Sequence, residues 1–188
     1  MSDAVEGAIV GGVIGFVAAL AAALLPVLFA FRNDQYRRAL RSHSEYASWL
    51  RGLIPECEFL LQCVDELQPA FFTGGQVSIP TKRFNYDFLG AARTEMIKHP
   101  RSVVLFPRLT AAYRNIMHTN EMMDRLEAAS RELHSSTMAQ FTFQGLFQST
   151  AACFPATRAS IEALLTLARE QNQLEIDHPP TLLDVGDA

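Results

Sequence analysis

The sequence predicts an all-α protein, with a single N-terminal transmembrane helix followed by a cytoplasmic antiparallel bundle of about four long, partly kinked helices. Three observations carry this. Residues 8–31, AIVGGVIGFVAALAAALLPVLFAF, form a run of 24 without a charged, amide or hydroxyl side chain. Beyond residue 33 the apolar positions recur at alternating steps of four and three, the spacing of a helix that buries one face. The only strand-like fragment is QVSI at residues 76–79.

Take the apolar run first. In a bilayer every backbone N–H and C=O must be satisfied within the segment, so a lone run of this length has to be helical. At 1.5 Å per residue it measures about 36 Å, enough to cross a hydrocarbon layer of about 30 Å with some tilt. A cleaved signal peptide would want a basic start and a shorter apolar stretch, whereas this start carries Asp3 and Glu6 and no Lys or Arg. Arg32, Arg37, Arg38 and Arg41 follow the run closely. By the positive-inside rule they leave residues 1–7 outside and the C-terminus cytoplasmic, as expected of a single-pass inner-membrane protein. The same four arginines suit contact with anionic lipid headgroups. Within and beside the run Gly7, Gly11, Gly15, Ala19 and Ala23 recur at every fourth position. That spacing aligns them as one small-residue stripe, a glycine zipper along which a second span can approach closely. Pro26 is expected to kink the helix near its cytoplasmic end.

Length and charge bound the rest. Residues 32–171 suffice for one helical bundle with a modest core. A net charge of −4 speaks against nucleic acid as a partner, since that demands a basic face. The cysteines, Cys57, Cys63 and Cys153, are too few for a disulfide framework and read as buried thiols.

In chain order, the first cytoplasmic helix extends to about residue 67 with the seam Tyr36, Leu40, His43, Ala47, Leu50, Ile54, Cys57, Leu61 and Val64. Its register passes Pro55 unchanged, which predicts a kink rather than a break. Residues 68–83 carry Pro69, Gly74, Gly75 and Pro80 and read as a connecting loop, with Phe71 and Phe72 folded back on the bundle or resting at the membrane. A short helix over 85–98 would bury Phe88, Leu89, Ala92, Met96 and Ile97, start at an Asn85 cap with Asp87 in its first turn, and stop at His99-Pro100. The next helix starts between Ser102 and Pro107 and runs to about residue 134 on the seam Leu105, Leu109, Ala112, Ile116, Asn120, Met123, Leu126 and Leu133. Ser135, Ser136 and Thr137 offer the cap of the last helix, whose stripe is Phe143, Phe147, Thr150, Phe154, Ile161, Leu165 and Ala168, kinked or divided at Pro155. Residues 172–188 are acidic, contain Pro179 and Pro180, and are expected to be a disordered tail.

No catalytic set emerges. Glu95 with His99 and His118 with Glu121 have helical spacing, but a di-metal carboxylate bundle needs two Glu-x-x-His units and further carboxylates, and neither of these pairs has that form. His43 and Glu45 read as solvent- or headgroup-facing. Asn120 sits on an apolar seam, where it could set register through a hydrogen bond across the bundle. No phosphate loop, nucleophile elbow or paired-cysteine motif occurs. The expectation is therefore a non-enzymatic scaffold or adaptor, without catalytic, metal or cofactor residues. It would contact the lipid bilayer and associate with its own copies, or with a partner membrane protein, through the small-residue stripe. The alternative is a membrane-tethered enzyme or ligand sensor with a pocket inside the bundle, drawing on His118, Asn120 and Glu121. A pore formed by the glycine-rich span is a third, weaker reading.

Overall fold

The computed structural model describes residues 2–71, 80–132, 136–179 and 181, with side chains from residue 16 onward apart from 17 and 70. All regular structure among these residues is helical: α1 (Ser2–Leu67), α2 (Asp87–Met96), α3 (Leu105–Arg131) and α4 (Thr137–Asp177), with single 3-10 turns at Gln68–Phe71 and Pro100–Val103. Two compact units emerge, one of Met1–Ser44 with Pro179–Ala188 and one of Glu45–His178.

The second unit is the helical bundle, and its hydrogen bonds fix the direction of each helix. Asn115 Nδ2 donates to the Ala156 carbonyl at 3.4 Å, the Thr119 and Thr157 hydroxyls are 2.8 Å apart, and Thr150 Oγ1 donates to the Met122 carbonyl at 3.4 Å. Asn115 and Thr119 meet residues 156 and 157 while Met122, further along α3, meets residue 150, so the two are antiparallel. Ion pairs of Arg169 with Glu58 (2.6 Å) and of Arg158 with Asp65 set α1 antiparallel to α4 in the same way. α2 lies on α3, with Arg93 4.4 Å above the Tyr113 ring and Tyr86 edge-on to that ring.

α1 contributes Tyr46, Leu50, Leu53, Cys57, Leu60, Val64 and Leu67 to the core. Steps of four and three are as expected, and Leu50, Cys57 and Val64 are shared with the predicted seam. The intervening positions fall one residue earlier: Leu53 and Leu60 are fully buried, while Ile54 and Leu61 pack at the edge. At the intervening turns both candidates are apolar (Leu53 or Ile54, Leu60 or Leu61), so periodicity alone left either flank open, and packing within the bundle selected one. Of the earlier seam positions Leu40 is exposed and Tyr36 and His43 are half-buried.

The connection after α1 turns immediately through its 3-10 segment and buries Phe71 against Phe147 and Phe154, with ring centroids 5.3 and 5.0 Å apart. The fragment QVSI and Phe72 lie outside the described residues. α2 begins at Asp87, whose N–H donates to Asn85 Oδ1 at 3.0 Å, so Asn85 acts just ahead of the helix while Tyr86 occupies the cap position. Ile97, expected in the core, is exposed, because the helix ends at Met96 and the chain turns away toward His99-Pro100.

α3 matches its predicted seam from Leu105 to Leu126, with Pro107 in the first turn, where its missing N–H is not needed. Leu133 lies outside the described residues. α4 starts at the Ser136 cap, whose Oγ accepts the Ala139 N–H at 3.1 Å, and passes Pro155 as one helix. It also runs on to Asp177, past the expected end near residue 171, so residues 172–177 of the expected tail are helical, while 180 and 182–188 lie outside the described residues. Burial of Glu175, and its ion pair with Arg101 at 2.7 Å, hold the last turns against the bundle. Composition could not foresee that anchoring.

Candidate functional site

In the first unit, α1 passes through the apolar run. Among its described side chains Phe16, Leu20, Leu24, Leu25, Val27, Leu28, Phe29 and Phe31 are all 49–71 % exposed. At about 100° per residue these large groups cover most of the helix circumference. Ala19, Ala22, Ala23 and Ala30 fall together on the remaining side and are also exposed. An all-round apolar helix belongs in an apolar medium or a protein interior, and among the described residues these groups stay exposed. Gly7, Gly11 and Gly15 lie outside the described side chains; Ala19 and Ala23 continue their spacing on the small side.

Arg32, Arg37, Arg38 and Arg41 are exposed on the turns that follow. Arg38 forms an i, i+4 pair with Asp34 at 2.6 Å. Arg37 and Arg41 share a face, and Arg32 projects elsewhere, so the guanidinium groups surround the helix rather than line one side. Among the described residues no helix is long and apolar enough to cross a membrane. Side chains 8–15 and 17, which belong to the 24-residue run, lie outside the described residues.

The second unit disperses the sequence-level candidates for chemistry. Glu95 pairs with Lys98 at 2.7 Å, while His99 is buried on extended backbone after the helix, 6.0 Å from the Tyr46 ring. His118 is exposed, and Glu121 pairs with Arg125 at 2.6 Å on the same surface. Asn120 turns inward. Its Oδ1 accepts the Phe84 N–H at 3.0 Å and its Nδ2 donates to the Phe84 carbonyl at 2.8 Å, so the amide pins the segment before α2 to α3. This is a polar seam residue bonded across the bundle, with its partner in a connecting segment.

Cys57 and Cys63 are buried and Cys153 is half-buried, all as free thiols. Burial, reinforced by Glu56 and Glu58, pushes the Cys57 thiol up to about 12, which keeps it protonated and unreactive. Among the described residues no group of three or more His, Cys, Asp or Glu could hold a metal ion.

Sequence reasoning missed the polar cluster where α1 enters the bundle. The Tyr46 hydroxyl reaches the Arg101 carbonyl at 3.4 Å, and Arg101 Nη1 binds Glu175 Oε2 at 2.7 Å. Burial, with Glu175 adding and Arg101 opposing, pushes the Tyr46 hydroxyl up to about 12. The participants are 55 and 74 residues apart, beyond any local pattern. Arg83, which pairs with Asp124 and Glu127 at 2.7 Å each, was equally invisible.

Comparisons with protein-family models, with curated proteins and with solved structures return no match.

Proposed function

We propose that this chain is a single-pass membrane protein, anchored by residues 8–31, whose helical bundle serves as a scaffold or adaptor and not as an enzyme. The observation that carries the reading is the collar of large apolar side chains from Phe16 to Phe31, exposed around most of the circumference with alanines on the remainder, and followed directly by four arginines. An aqueous environment would penalise that collar at roughly 1.5–3 kcal/mol per large side chain relative to burial, and a hydrocarbon medium removes the penalty. The arginines orient the chain with its N-terminus outside and its bundle in the cytoplasm, and they supply donors for anionic headgroups. Gly7, Gly11, Gly15, Ala19 and Ala23 form the face through which spans associate, either as a homo-oligomer or with a partner membrane protein.

Alkaline carbonate extraction of native membranes tests the anchor: the full chain is expected in the pellet, and its release to the supernatant overturns the span. Cross-linking in bilayers tests association. Gly11→Ile with Gly15→Ile should abolish the oligomer, and an unchanged oligomeric state refutes the stripe as an interface.

A further inference from the structure

We infer that the cleft between α3 and α4 that carries Arg108 and Glu170 is a self-complementary docking surface for a second copy of this chain. The copy seats by a half-turn that sets each Arg108 against the partner's Glu170. This goes beyond the proposed association of spans: the surface is a different one, lies wholly within the bundle, and acts whether or not the spans meet.

The antiparallel pairing that brings Asn115 to Ala156 and Thr119 to Thr157 sets the start of α3 beside the later turns of α4. Between them opens one cleft of about 490 Å³, lined by Val104 and Arg108 on one side and by Ala163, Thr166, Leu167 and Glu170 on the other. Apart from the two charged groups the lining is small or apolar. Ala163 and Leu167 are half-buried, and Val104 is 59 % exposed. Arg108 and Glu170 are both exposed, and among the described residues neither has an ion-pair partner. Their neighbours on α4 are engaged within the chain, Arg158 with Asp65 and Glu162, and Arg169 with Glu58. One cation and one anion therefore share this cleft without neutralising each other.

Shape and charge identify the occupant. The cleft is open to solvent, whereas a small-molecule site buries about 70–90 % of its ligand, so a protein surface fits it better. A patch with one unpaired cation and one unpaired anion is complementary to itself. Consider an axis in the plane of the face, midway between the two groups and perpendicular to the line joining them. A half-turn about it lays the partner's Glu170 over Arg108 and the partner's Arg108 over Glu170. Each residue is thus used twice, and the uncharged linings of the two copies meet between the pairs. The contact is small and belongs with weak interfaces that form at high protein concentration. Its charges set orientation and make it sensitive to salt.

Sedimentation equilibrium of the full chain in density-matched detergent tests this. A background of Gly11→Ile with Gly15→Ile keeps the stripe from contributing. At high protein concentration a monomer–dimer equilibrium is expected. Arg108→Glu and Glu170→Arg, each introduced alone, should weaken it by about tenfold or more, because both symmetric contacts turn from attraction to repulsion. Mixing these two variants one to one should recover the affinity of the background chain, since every contact in the mixed dimer again joins opposite charges. Both groups are exposed, and far-UV circular dichroism with melting first establishes that each variant is folded like the background chain. A background chain that stays monomeric at every concentration overturns the inference. So does a dimer indifferent to either reversal. A dimer that both reversals weaken and mixing fails to restore overturns it too, since these charges would then meet another surface. The stripe is judged separately, by cross-linking in bilayers, so either interface can fail while the other stands.

Discussion

Replacing Asn120 by alanine removes the partners of both Phe84 peptide groups in a single truncation. The native amide accepts the Phe84 N–H at 3.0 Å and donates to the Phe84 carbonyl at 2.8 Å, with Phe84 2 % and Asn120 9 % exposed. An orphaned buried polar group costs about 1–3 kcal/mol, so two orphans cost about 2–6 kcal/mol. The residual exposure of Asn120 admits some water to the site and favours the lower half of that range, about 3 kcal/mol. Arg83 is a second polar tie between this segment and α3, through Asp124 and Glu127, beside the ring contact of Tyr86 with Tyr113, but its partners are solvent-accessible and such pairs contribute only about 0–1 kcal/mol each. Residues 80–86 should therefore detach before the bundle unfolds. Urea unfolding of the full chain in detergent, followed by far-UV dichroism, should lose about 3 kcal/mol in the Asn120→Ala variant. If opening is local, hydrogen exchange at the Phe84 amide should accelerate by roughly two orders of magnitude. Glu121→Ala, which loses only a surface i, i+4 pair, is the control and should stay within about 0.5 kcal/mol of the parent. Asn120→Ala within the same margin, with the Phe84 amide still protected, would refute the pinning role.

Two further perturbations address packing and burial. A Cβ at Gly52 would lie 2.7 Å from Phe88 Cζ, and the Phe88 ring packs 5.6 Å from Trp49; Gly52→Val should displace that ring, cost about 1–3 kcal/mol and shift Trp49 emission, and an unaltered spectrum with unaltered stability would contradict the contact. The Tyr46 hydroxyl is pushed up from 10.0 to about 12, chiefly by burial, so between those values the folded chain retains a proton that the unfolded chain has lost. Its contribution is whole below pH 10 and disappears as pH rises toward 12, up to about 3 kcal/mol. Cys57 acts with the same sign from pH 9.0 upward. Tyr46→Phe should flatten the alkaline loss of stability measured by urea midpoints but leave the Cys57 part, and an unchanged slope would remove burial of the tyrosine as its cause.

The legible parts of the fold are those whose information is local. The seam of α3 is readable because Leu105, Leu109, Ala112, Ile116, Met123 and Leu126 keep steps of three, four and seven along one face. The Ser136 cap is readable because a hydroxyl beside a helix start satisfies an N–H three residues on. The His99-Pro100 stop follows from a steric rule between adjacent residues. Where apolar residues are abundant, as around Leu53-Ile54 and Leu60-Leu61, the sequence permits two faces and only the partner helices choose. The end of α4 escaped for the opposite reason: an acidic, weakly patterned stretch resembles a tail until Arg101, 74 residues away, is known to receive Glu175.

The apolar collar, its small-residue side and the arginines after it are properties of consecutive residues, and the sequence by itself determined them. It likewise determined the helical class of the described residues and the stop at His99-Pro100. Tertiary structure alone decided that Asn120 holds the Phe84 backbone, that His118 and Glu121 face outward beside it rather than converging with it, and that Arg101 meets Glu175 across the bundle. The physical reason is range. Helix formation, capping and membrane insertion are governed by neighbours within a few turns, whereas the meeting of side chains tens of residues apart depends on how whole faces pack.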